Sequence, residues 1–172
     1  MIRKVFIFLV IYSFISCNEK RVNMSISNCH YGYQMELKEK VICNGDKAAY
    51  QKLLDIYSDD WNMGDMLSYS IIMANKFDDS DAYYDVFKIL ISLPRINANK
   101  CVSDTCSGIG YYCLDDKTKK IAVNYFIQAV YKGNIFASEE LLNTFSINKL
   151  HPIKELYTDK KLLIKAESNL KR

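Results

Sequence analysis

Six cysteines and two histidines are among the residues of this chain whose side chains could act as nucleophiles, bases or metal ligands. Cys101, Cys106 and Cys113 share one stretch, at spacings of five and seven. A structural zinc site wants tight Cys-x₂₋₄-Cys pairs, and no histidine stands near this cluster, so no metal is expected. Two readings remain for it, a short-range disulfide or buried thiols. With Cys17 set aside, Cys29 and Cys43 bring the cysteines to five, and an odd number cannot all pair within one chain. His30 and His151 belong to no metalloprotease helix motif and to no Gly-x-Ser-x-Gly elbow. Cys29 adjoins His30, but nucleophile and base must meet in space with a third group to orient them, and nothing signals that. Ser107-Gly108-Ile109-Gly110 lacks the lysine and the strand context of a phosphate loop. The pairs Asp59-Asp60, Asp78-Asp79 and Asp115-Asp116 fall at expected helix junctions, where capping accounts for them. The expectation is a chain that is not an enzyme and carries no cofactor.

Cys17 stands apart because of what surrounds it. Arg3 and Lys4 precede an apolar run from Val5 to Ile15, and Ser16-Cys17-Asn18-Glu19-Lys20 then turns polar, the layout of a signal peptide. The run is eleven residues, against about 20 for a transmembrane helix. Phe14-Ile15-Ser16-Cys17 resembles the lipobox of bacterial lipoproteins. The resemblance implies that residues 1–16 are a lipoprotein signal peptide, cut before Cys17, whose sulfur takes a diacylglyceryl group and whose new amino terminus is acylated, as with palmitate. Two or three such chains anchor stably, because each buried CH₂ contributes about 0.8 kcal/mol and one chain alone is marginal. Asn18 is not the Asp that holds many proteins of that family in the inner membrane, so the resemblance favours the outer membrane in a cell that has two. Residues 17–32 read as a tether.

Loss of residues 1–16 would remove Arg3 and Lys4 and lower the formal net charge from +3 to about +1. A balance so close to neutral gives no electrostatic case for nucleic acid or for anionic lipid. The remaining length suits one domain, and a chain of this size buries roughly 68–70% of its unfolded surface.

The elements behind these residues show themselves as a repeat. Gly45-Asp46-Lys47-Ala48-Ala49, with Leu53, Leu54 and Tyr57, aligns with Gly133-Asn134-Ile135-Phe136-Ala137, with Leu141, Leu142 and Phe145. Asp79-Ser80-Asp81-Ala82 with Val86, Phe87 and Leu90 fits the same frame 33 residues after the first copy, a period typical of helix-turn-helix solenoids. Eight residues before Ala49, Ala82 and Ala137 stand Val41, Ala74 and Ala129, small residues that let two helices approach closely. Met66, Tyr69, Ile72 and Met73, and likewise Ala122, Tyr125, Phe126, Ala129 and Val130, carry helical spacing. Gly133 and Asp79 are expected to supply the turns, with Asp79 in the place of glycine. The expected helix pairs are 33–42 with 46–57, 64–77 with 80–92, and 116–132 with 135–145.

The run Ala122, Tyr125, Phe126, Ala129, Gly133, Asn134, Ala137, Leu141 and Phe145 resembles a Sel-like repeat, a branch of the tetratricopeptide-type helical repeats. The resemblance implies an all-α fold: a short α-solenoid of about three antiparallel helix pairs, which binds other proteins on its surfaces and has no catalytic residues to carry over. The helical repeat domain would span residues 33–172, with an irregular insertion at about 94–115, because the third copy arrives 55 residues after the second. Leu162, Leu163, Ala166 and Leu170 have helical spacing and suit a C-terminal capping helix with a polar outer face.

Tyrosine occurs 13 times, and neighbours such as Tyr111 and Tyr112 cannot both face a core. Tyr is favoured at interfaces for its large area and small rotamer entropy. Trp61, Tyr69, Tyr111 and Tyr112 are the expected recognition surface. The whole reads as a membrane-anchored, non-catalytic protein-binding scaffold of the bacterial cell envelope, with a partner protein there. The alternative is an immunity protein that neutralises a cognate toxin delivered to the envelope.

Overall fold

A computed structural model describes residues 29–59, 62–96, 110–147, 156 and 159–171. The expected signal peptide, Cys17, most of the tether and much of the 94–115 insertion lie outside the described residues. The chain divides into two compact units, Met1–Tyr33 and Gln34–Arg172. The description below concerns the second unit.

The described residues form an all-α structure: α1 (Cys29–Asn44), α2 (Lys47–Asp59), α3 (Met63–Phe77), α4 (Ser80–Ile96), α5 (Asp116–Lys132), α6 (Ile135–Ile147) and α7 (Lys160–Leu170), with a 3-10 turn at Gly110–Cys113. Helix α1 begins at Cys29, four residues before the start expected from the repeat frame. Residues 29–33 contain no proline that would bar the helix from extending back to Cys29. Helix α2 packs on α3, α3 on α4, and α4 on α5; α5, α6 and α7 pack on one another.

Three connections share one design, which fixes the phase of the helix that follows. Gly45, Asp78 and Gly133 hold positive φ, at 63°, 58° and 92°. The next residue in each case folds back and caps. The backbone N–H groups of Asp46, Asp79 and Asn134 donate to Lys40, Met73 and Ala129 carbonyls at 3.3, 3.2 and 2.9 Å. Their side chains then accept from the N–H groups of Ala49, Ala82 and Ala137 at 3.0, 3.0 and 2.7 Å. In the second connection the residue that replaces glycine is therefore Asp78, and Asp79 is the cap. The expected assignment is one residue late, because two consecutive aspartates look alike until φ separates them. Gly45 is required twice over, since a Cβ there would also lie 2.5 Å from the Phe77 ring.

The capped alanines and their partners eight residues earlier lie in the interior of the unit. Val41, Ala74, Ala82, Ala129 and Ala137 are fully buried, and Ala49 keeps 3% of its surface. Around them lie two clusters. One gathers Leu37, Tyr50, Leu53, Tyr57, Met66, Met73 and Ile89; the other gathers Phe87, Tyr111, Phe126, Val130, Leu141, Leu156 and Leu162. Phe87 meets Phe126 edge-on at 4.8 Å between ring centres. It fills the contact between α4 and α5.

The turns are also bonded to one another. Lys47 pairs with Asp79 at 2.7 Å, Asn134 donates to Asp81 at 2.6 Å, Lys76 donates to the Ile42 carbonyl at 2.8 Å, and Lys132 pairs with Asp78 at 2.6 Å. On α7, Asn169 donates to the Val130 carbonyl at 2.8 Å and to Ser138 Oγ at 2.9 Å, so the last helix is tied to the third connection. Asp115 and Asp159 cap α5 and α7 through their side chains.

Candidate functional site

Residues of α2, of α4 and of the start of α6 line one groove. Its volume is about 350 Å³, and its lining is Gln51 and Leu54 from α2, Asp81, Tyr84, Asp85 and Lys88 from α4, and Asn134 with Phe136 at the start of α6. Phe136 is 65% exposed at the rim. A ring left that open next to a buried Ala137 is the largest apolar surface the groove offers.

The floor of the groove is polar and held from three helices. Tyr50 of α2 donates its hydroxyl to Asp85 Oδ2 at 2.9 Å and lies 2.9 Å from Ser70 Oγ of α3. Asp85 keeps only 8% of its surface, and burial pushes its carboxyl above the ordinary range, against the pull of Lys88 and of the Tyr50 hydrogen bond. The second oxygen, Oδ1, meets the Lys88 ammonium at 3.6 Å. Lys88 Nζ also sits 4.9 Å from the centre of the Tyr84 ring. The Tyr84 hydroxyl donates to Glu140 of α6, and burial first, then that carboxylate, raises its pKa far out of the physiological range. The phenol of Tyr50 is raised likewise by burial and by Asp85. At neutral pH both phenols remain donors. The groove thus presents hydrogen-bonding groups, one exposed ring and a carboxylate held by Tyr50 and, at longer range, by Lys88.

The residues expected as a recognition surface are not gathered here. Tyr111 keeps 9% of its surface and belongs to the core with Phe87 and Phe126. That corrects its placement as exposed: the 3-10 turn directs the ring inward, with Lys119 5.9 Å from its centre. Tyr69 is half-buried, stacks on Tyr57 at 6.3 Å, and has Lys38 above both rings at 5.9 and 5.7 Å. Tyr69 and Tyr111 join different clusters and cannot form one patch. Trp61 and the side chain of Tyr112 lie outside the described residues. So do Cys101 and Cys106, whereas Cys113 is disulfide-bonded and Cys43 is an exposed free thiol.

Sequence reasoning passed over the groove, although one signal was there. Asp85 follows Ala82 by three and precedes Ile89 by four, so a charge stands on the buried face of α4. Among the described residues no helix is long and apolar enough to cross a membrane, and no group of three acidic, His or Cys side chains could hold a metal. No family model matches the chain, and neither does any curated protein or solved structure.

Proposed function

We propose that this chain is a lipid-anchored, non-catalytic scaffold of the bacterial cell envelope, built as a short α-solenoid of three antiparallel helix pairs closed by α7, and that it binds a partner protein in the groove across α2, α4 and α6. One observation carries the reading. Residues of α2, of α4 and of the start of α6 line a single open groove of polar and charged side chains, with an exposed aromatic at its edge. A stack of repeats produces such a surface as a by-product of its period. The bonds that run from turn to turn support the stacking, because each joins residues at neighbouring places in the repeat frame. Against catalysis stands the use to which the groove's acid is put: Asp85 holds Tyr50 across helices, and a base so engaged is a framework group.

The anchor rests on the residues from Arg3 to Lys20 and on the lipobox resemblance at Cys17. Fractionation of cells that express the full chain tests it. The chain is expected in the membrane fraction, and the Cys17→Ala chain is expected to leave it. Recovery of both chains in the soluble fraction would sink the anchored reading. For the scaffold itself, pull-down of the anchored chain should recover an envelope protein above the Cys17→Ala control.

A further inference from the structure

We propose that the groove takes a basic side chain, a lysine or arginine presented by the partner protein, against the Asp85 carboxylate; this rests on the partner-binding reading above and names its chemistry. A buried charge is costly unless it is paired and hydrogen-bonded. Asp85 is held by one short hydrogen bond and one longer ion pair. Oδ2 has the Tyr50 hydroxyl, whereas Oδ1 has the Lys88 ammonium at 3.6 Å, well beyond the 2.7–2.9 Å of a charge-assisted hydrogen bond. Asp85 is one of the residues that line the groove, and this long ion pair is the contact an incoming cation would replace.

The chain's own lysine shows what the place accommodates. Lys88 Nζ rests between the Asp85 carboxylate and the face of Tyr84, 4.9 Å from the ring centre, and its side chain is 51% exposed. It is a loosely held cation on a flexible stem, at the edge of a carboxylate-and-ring pair. A guanidinium would do better there, because its planar fork can take a carboxylate through two N–H groups while it stacks on a ring. Asp81 adds a second negative charge to a lining whose one cation is Lys88. The exposed Phe136 ring would cover the aliphatic stem of the incoming residue.

The test titrates ¹⁵N-labelled full-length protein in neutral detergent micelles with two blocked pentapeptides, Gly-Gly-Arg-Gly-Gly and Gly-Gly-Glu-Gly-Gly, read by amide shifts. The arginine peptide should shift Tyr84, Asp85 and Asn134 saturably in the millimolar range, and the glutamate peptide should not. Asp85→Asn should weaken the response at least tenfold with an unchanged spectrum elsewhere, and Lys88→Ala, which removes the internal competitor, should strengthen it several-fold. Glu167→Gln, on exposed α7 surface, should leave it as it was. Equal shifts from both peptides, or an arginine response that survives Asp85→Asn, would overturn the proposal. Capture of an envelope partner equally by the wild-type and Asp85→Asn chains would also overturn it and leave the scaffold reading standing. An arginine response confined to the groove, with no partner recovered from host membranes, would sustain the cation site and count against the scaffold.

Discussion

Asp85 is the residue on which the site and the stability of the unit pull in opposite directions. Burial raises its pKa in the folded state, so the native chain binds a proton more readily than the unfolded one. Above the folded pKa the ionised carboxyl is a liability; as pH falls from there towards its ordinary value, near 3.8, protonation relieves the strain and stability rises relative to a neutral residue. The Asp85→Asn chain, which keeps an acceptor for Tyr50, should therefore be as stable as the wild type or more so at pH 7. The difference should shrink on acidification. Urea unfolding of the two proteins across pH reads this directly, and a variant much less stable at pH 7 would contradict it. Asp85→Ala, which removes the carboxylate acceptor of the Tyr50 hydroxyl and leaves it Ser70 Oγ, should cost about 1 kcal/mol.

Among elements, the three capped connections carry the fold, and each can be weakened alone. Asp46→Ala removes one side-chain cap and should cost about 1 kcal/mol by urea unfolding. Asn134→Ala should cost more, because the same side chain also donates to Asp81. Gly133→Ala forces a side chain into φ 92°, and a loss of about 1–2 kcal/mol is expected there. Ala129→Leu overfills a fully buried contact and should cost about 1–3 kcal/mol. This level was also the most legible in the sequence. The positions of glycine, Asx and alanine gave helix limits within a few residues for α2, α3, α5 and α6, because caps and small contact residues are local signals. Asp78 and Asp79 were confused because φ is not written in residue type. The groove was not legible: Gln51, Asp85 and Phe136 become neighbours only when three helices are brought side by side, and no one helix marks them as a set. Tyr111 was misplaced for the same reason, since its burial depends on α5 arriving from the far side of the insertion.

For the whole molecule, the central claim joins an address to a surface: a lipid on Cys17 would hold the groove at a membrane, where its partner is. Neither half gives the function alone. An anchored helical unit with a closed surface would be inert, and a groove without an anchor would search the whole compartment. Site-specific photocrosslinking in the native host tests the junction of the two most directly. With a photoreactive residue in place of Phe136, at the groove rim, one discrete adduct with an envelope protein is expected in the membrane fraction. The same residue in place of Ile164, which is 66% exposed on α7, should give none. Adducts of equal yield from both positions, or none from Phe136, would contradict the account.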